Sequence, residues 1–118
     1  MSAFEIAKIT PMVREVFESA GDAWCATFEV AGTQGAWAQV MKGTLNVSCP
    51  LSTLPDLREL LGTLPKSGVE SWEPNTSVIV TFASAPPQAV ATAVDWLFAK
   101  FYGLGEYSVS CRLENLDG

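Results

Sequence analysis

Apolar residues recur at changing intervals along the chain, and each change of interval marks a new element. Met12, Val13, Val16 and Phe17 share one helical face while Glu15 and Glu18 take the other. That spacing predicts a helix capped by Thr10, with Pro11 at its first position and Gly21 at its end. Upstream, Ser2-Ala3-Phe4-Glu5 has capping-box spacing, so either a further helical turn precedes Pro11 or Phe4 and Ile6 belong to a short strand. From Ala23 the interval falls to two: Trp24, Ala26, Phe28 and Val30 alternate with Cys25, Thr27 and Glu29, as in a half-buried strand. A turn over 32–35 leads to a second strand, Ala36 to Met41. Lys42-Gly43 separates it from a third, in which Leu45, Val47 and Cys49 alternate with Thr44, Asn46 and Ser48. The three strands read as an antiparallel meander.

Pro50 closes the meander, and Thr53 caps a short helix in which Leu54, Leu57, Leu60, Leu61 and Leu64 recur at helical spacing. Arg58 and Glu59 lie off that stripe. After Pro65 and Gly68, a strand from Val69 to Glu73 turns at Pro74-Asn75-Thr76 into a stronger strand, Ser77 to Ala83. Pro86 and Pro87 open the longest helix, whose Val90, Val94, Leu97, Phe98 and Phe101 form one apolar stripe. Gly103 closes it, with Leu104 placed for the contact of a Schellman cap. In the final strand Tyr107, Val109, Cys111 and Leu113 face away from Ser108, Ser110 and Arg112. The order is α-β-β-β-α-β-β-α-β, which predicts a single α+β domain over 1–118, a mainly antiparallel sheet with helices packed on one face.

Composition narrows the function classes. The chain is 48% hydrophobic and 17% charged, which is the composition of a folded domain. Thirteen acidic against seven basic residues give a net charge of −6, so nucleic acid and anionic membrane surfaces are poor partners. The first nine residues carry Glu5 and Lys8 and lack the pattern of a signal peptide. The weakly polar run from Ala89 to Phe101 contains Asp95 and Lys100 and is shorter than a bilayer span. Cys25, Cys49 and Cys111 are odd in number and widely spaced, which suits reduced thiols and a cytoplasmic location.

No catalytic group stands out. The chain has no histidine, so a Ser-His or Cys-His nucleophile pair has no base. The cysteines fall in three separate predicted strands without metal-ligand spacing, and each reads as a small buried hydrophobe. Glu70 and Glu73 flank Trp72, but their spacing of three puts them on opposite faces of a strand, against a shared carboxylate site. No glycine-rich loop opens a helix to hold phosphate. No enzymatic activity, metal or cofactor is therefore expected.

The four tryptophans invite a binding reading because tryptophan is enriched where partners dock. Trp24 belongs with the apolar set of its strand and reads as core. Trp37 and Trp72 lie in strands of mixed character. Trp96, with Ala89 and Ala93, makes a second apolar face on the long helix that meets either the sheet or another subunit. The residues assigned to partner contact are Trp37, Trp72 and Trp96, with Glu70 and Glu73 beside Trp72.

The run Ala36-Trp37-Ala38-Gln39-Val40, the later Ser71-Trp72-Glu73-Pro74 and the helix end Phe98-Ala99-Lys100-Phe101-Tyr102-Gly103-Leu104, in this order of elements, resemble the TY-Chap and YbjN-type domains. Those domains are related in fold to type III secretion chaperones. The resemblance implies a small acidic α/β-sandwich that dimerises and binds an extended or exposed segment of a protein partner without catalysis. The strand from Glu106 to Glu114 departs from the secretion chaperones' core order. A chaperone-like module that binds a protein partner is thus the first expectation. An immunity or antagonist protein that plugs a basic toxin or nuclease is the second, because acidic surfaces steer onto basic sites. A small-ligand sensor with an aromatic pocket near Trp72 is the third. A homodimer is expected because the long helix and the leucine-rich helix carry more apolar surface than one sheet face covers.

Overall fold

A computed structural model of the chain describes residues 3–21, 23–30, 35–49, 51–53, 56–104 and 107–115. In chain order they form α1 (Ala3–Glu18), β1 (Trp24–Val30), β2 (Trp37–Met41), β3 (Thr44–Ser48), α2 (Arg58–Gly62), β4 (Gly68–Glu73), β5 (Ser77–Thr81), α3 (Pro87–Trp96) and β6 (Val109–Asn115). This is the α+β order that the sequence pattern predicts. The strands make one six-stranded sheet in the order β4-β5-β3-β2-β1-β6, with every neighbouring pair antiparallel.

Alternation decides which face is covered. Ala26, Phe28, Val30, Ala38, Val40, Leu45, Val47, Val78 and Val80 point to one side and join Ile9, Val13 and Val16 of α1, Leu60 of α2 and Val90 and Val94 of α3 in a single core. All three helices therefore lie on that face. The other face carries the alternate residues, among them Trp37, Gln39, Met41, Thr44, Asn46, Ile79, Glu29 and Arg112. Polar side chains bridge its strands: Asn46 Nδ2 donates to Gln39 Oε1 at 3.4 Å, and Thr27 Oγ1 donates to Glu114 Oε1 at 3.3 Å. Such cross-strand pairs hold register on a face that none of the described helices covers.

Two tight points fix the connections. Gly43, at φ 73°, turns β2 into β3, and a Cβ there would stand 3.4 Å from the Phe82 carbonyl oxygen. The main chain at Phe82 also donates back to the Gly43 carbonyl at 3.0 Å. At the end of the long helix, Gly103 has φ 69° and the Leu104 amide donates to the Phe98 carbonyl at 3.1 Å, one residue further back than the six-residue bond of a Schellman cap because the last turn is wide.

Three local readings of the sequence are corrected. Thr10 does not cap a helix at Pro11: α1 runs continuously through Pro11, and Thr10 Oγ1 instead donates to the Ile6 carbonyl at 2.7 Å. Burial of Ile9, Val13 and Val16 on the sheet outweighs the missing proline donor. Thr53 does not cap the second helix either, because α2 begins at Arg58, whose amide is taken by Asp56 Oδ1 at 3.1 Å. Leu57 and Leu64 flank the helix and are buried from outside it. Trp24 is only half-buried, at the end of β1 opposite Asn115. The turn at 32–34, the Ser2 cap and Leu54 lie outside the described residues. Among the described residues no helix is long and apolar enough to cross a membrane.

Candidate interaction groove

The groove follows from how α2 and the end of the long helix meet. Leu57, Leu60 and Leu64 all turn into the core, which leaves Arg58 and Glu59 on the outer side of α2. Beyond Trp96 the long helix widens by one residue per turn over Leu97–Phe101, closing with the Tyr102 amide on the Leu97 carbonyl at 2.8 Å. That π turn keeps Leu97 and Phe98 fully buried while Trp96, Lys100 and Phe101 face α2. Trp96 and Phe101 stack with centroids 6.3 Å apart and planes at 19°, and the Trp96 indole N–H donates to a Glu59 carboxylate oxygen.

The result is an open groove of about 830 Å³ walled by Leu51, Asp56, Arg58, Glu59, Trp96, Lys100 and Phe101. Leu51 is 44% exposed, one of two large apolar residues left so open among those described; the other is Val69. Arg58 grips Asp56 through Nε and Nη2 at 3.0 and 2.7 Å. The hydrogen bonds from Arg58 hold the Asp56 carboxyl down at about 2. The groove thus sets a stacked aromatic pair beside an exposed leucine, with both signs of charge on its rim.

The five residues assigned to partner contact do not converge. Trp96 alone lines the groove. Trp37, half-buried on β2, belongs to the uncovered sheet face, in line with Glu29 on β1. Glu73 pairs with Ser77 and reaches the same face at the far edge of the sheet. Trp72, one residue before it, pairs with Val78 and packs against the core, with its indole nitrogen buried and unpartnered. Glu70 stands in a β-bulge between Val69 and Ser71, so simple alternation from Glu70 to Glu73 fails.

Two buried polar clusters were not singled out from the sequence. Tyr102 O–H lies 2.7 Å from Ser48 Oγ and within reach of the Trp37 and Ser48 carbonyls, at 3.0 and 2.8 Å. Burial pushes the Tyr102 hydroxyl well above its ordinary value, so the pair ties helix to sheet and supplies no base. Between α1, α3 and β6, Tyr107 O–H donates to Asp95 Oδ1 at 2.5 Å, Glu5 Oε2 accepts the Val109 amide at 3.0 Å, and Lys8 Nζ donates to the Val109 carbonyl at 3.0 Å. Asp95 is fully buried, and its Oδ2 has no hydrogen-bond partner. The sequence did carry a signal for it, an acid set among Val94, Trp96 and Leu97 on an otherwise apolar helix.

The thiols are quiet. Desolvation raises Cys25 and Cys111 above the ordinary thiol value, and Cys49 is buried just past β3. Among the described residues no group of three or more Cys, Asp or Glu side chains gathers to hold a metal ion. No family model matches this chain, and no curated protein or solved structure is significantly similar to it.

Proposed function

We propose that the chain is a non-enzymatic, chaperone-like interaction module that takes an extended segment of a protein partner into the groove between α2 and the end of the long helix. The observation that carries this reading is the stacked Trp96–Phe101 wall beside the exposed Leu51. An aromatic surface flanked by exposed aliphatic surface and by charges of both signs gives a partner side chain a dry contact and its backbone a polar rim. The test places a photo-crosslinking amino acid at Leu51 and, as a control, at Glu15 on α1, in cells that make the protein. A discrete protein adduct at Leu51 that disappears in Trp96→Ala, and is missing at Glu15, supports the reading. Equal labelling from both positions, or an adduct indifferent to Trp96→Ala, removes the groove as the contact.

A further inference from the structure

The C-terminal strand is attached differently from the others. Among the described strands β6 pairs with β1 alone, and on its core side Val109 is buried while Cys111 and Leu113 are half-exposed. On the open face its side-chain links to β1 are the Thr27–Glu114 hydrogen bond at 3.3 Å and the Arg112–Glu29 pair at 3.2 Å, whose side chains are at least half exposed, and an exposed ion pair holds little in water. The outer edge of Val109 is taken by Glu5 and Lys8 of α1 instead of by another strand. Just ahead of it, Tyr107 is fastened to Asp95, a carboxyl group at 0% exposure with one oxygen satisfied and one not. A buried carboxyl oxygen without a donor costs free energy in the closed fold, and that cost is relieved when water reaches it.

We propose that β6 is a releasable latch, held at its leading end by Asp95 and Glu5, whose opening bares the outer edge of β1 while the remaining five strands stay folded. Opening undoes the β1–β6 ladder with the Thr27–Glu114 and Arg112–Glu29 links across it, the Tyr107–Asp95 hydrogen bond, the Tyr107–Phe98 ring contact and the two side-chain bonds to Val109. It takes Val109 out of the core and leaves in place the remaining contacts among α1, α3 and strands β1 to β5. Ser110, Arg112 and Glu114 alternate with Val109, so their amides face β1 and report the ladder directly. This latch does not rest on the groove being a binding site.

Native-state hydrogen exchange of the full chain tests it. The Ser110, Arg112 and Glu114 amides are expected to exchange through an opening that depends little on urea, well before amides of β3 and β5. Val78→Ala, in the core of β5, is expected to speed the β3 and β5 amides while leaving β6 unchanged. Asp95→Asn keeps the acceptor for Tyr107 and puts amide N–H donors where the unpartnered oxygen stood, so it is expected to leave β6 exchange close to that of the parent chain. Tyr107→Phe strips the remaining donor from Asp95 and is expected to speed it. If Val78→Ala accelerates β6 together with the core, the strand opens only by global unfolding and the latch is wrong. If Tyr107→Phe leaves β6 exchange unchanged, the Tyr107–Asp95 bond does not hold the strand and the latch is equally wrong.

Discussion

The two tyrosines of the chain, Tyr102 and Tyr107, are both hydrogen-bonded inside the fold, and this gives it a defined weakness to alkali. Burial raises both hydroxyls above their ordinary value of 10.0, and at Tyr107 the neighbouring Asp95 and Glu5 raise it further. A group whose folded value is raised stabilises the fold fully below its unfolded value and loses that contribution as pH rises past it. Stability is therefore expected to be insensitive to these groups below pH 10 and to fall above it. Absorbance at 295 nm checks the point: near pH 11, about one unit above the unfolded value, the native chain should show far less tyrosinate than the urea-unfolded chain, in which nearly all of both tyrosines is ionised. Tyr102→Phe, which removes the tie from the helix to Trp37 and Ser48, is expected to cost about 1–2 kcal/mol in urea unfolding. Neither tyrosine was legible as a tie beforehand. A hydroxyl's partner depends on which carbonyl the fold brings within 3 Å or so, and that is decided by tertiary packing.

Elements were far easier to read than partners, because alternation and helical spacing are local. The strands Trp24–Val30, Thr44–Ser48 and Ser77–Thr81 lie where their alternation puts them. The Gly103 cap and the Pro74-Asn75-Thr76 turn, with Asn75 at φ 62°, follow from residue chemistry alone. Reading failed where tertiary burial overrode a local rule. Pro11 looked like a helix start and is a helix interior, because the apolar stripe from Ile9 to Val16 continues across it. Replacing it tests which force wins. Pro11→Ala restores the amide donor and relieves the ring's crowding of the preceding turn, and is expected to stabilise the chain by about 1–2 kcal/mol after the loss of proline's restraint on the unfolded state. A thermal melt that falls instead would mean that α1 is shaped around the proline. The bulge at Glu70 and the π turn at Leu97–Phe101 had no signature in the periodicity, since each adds one residue to a pattern that otherwise holds.

At the scale of the molecule, both motives for expecting a homodimer are taken up inside the chain. Of the supposed second face of the long helix, Ala93 is fully buried, Ala89 and Trp96 are half-buried, and Trp96 turns to Glu59. The leucines of the α2 region are likewise spent on the core, with Leu57, Leu60 and Leu64 buried and Leu61 partly so. What remains open among the described large apolar residues is Leu51 at the groove and Val69 on β4. Pairing two copies through the β4 edge would set Glu70 and Glu73 of one chain against those of the other, and like charges across a ladder repel. Burying one leucine from each side contributes about 3–6 kcal/mol in total, against an association cost of roughly 4–15 kcal/mol, so Leu51 alone does not hold a pair together. The chain is expected to sediment as a 12.6 kDa species up to concentrations of about 100 μM, a range that reports only weak binding. A dimer found below that concentration and abolished by Leu51→Glu would overturn this and make a second copy the occupant of the groove. A dimer indifferent to Leu51→Glu would place the contact on the uncovered sheet face, where Trp37, Met41 and Ile79 are the half-buried apolar side chains a partner sheet would meet.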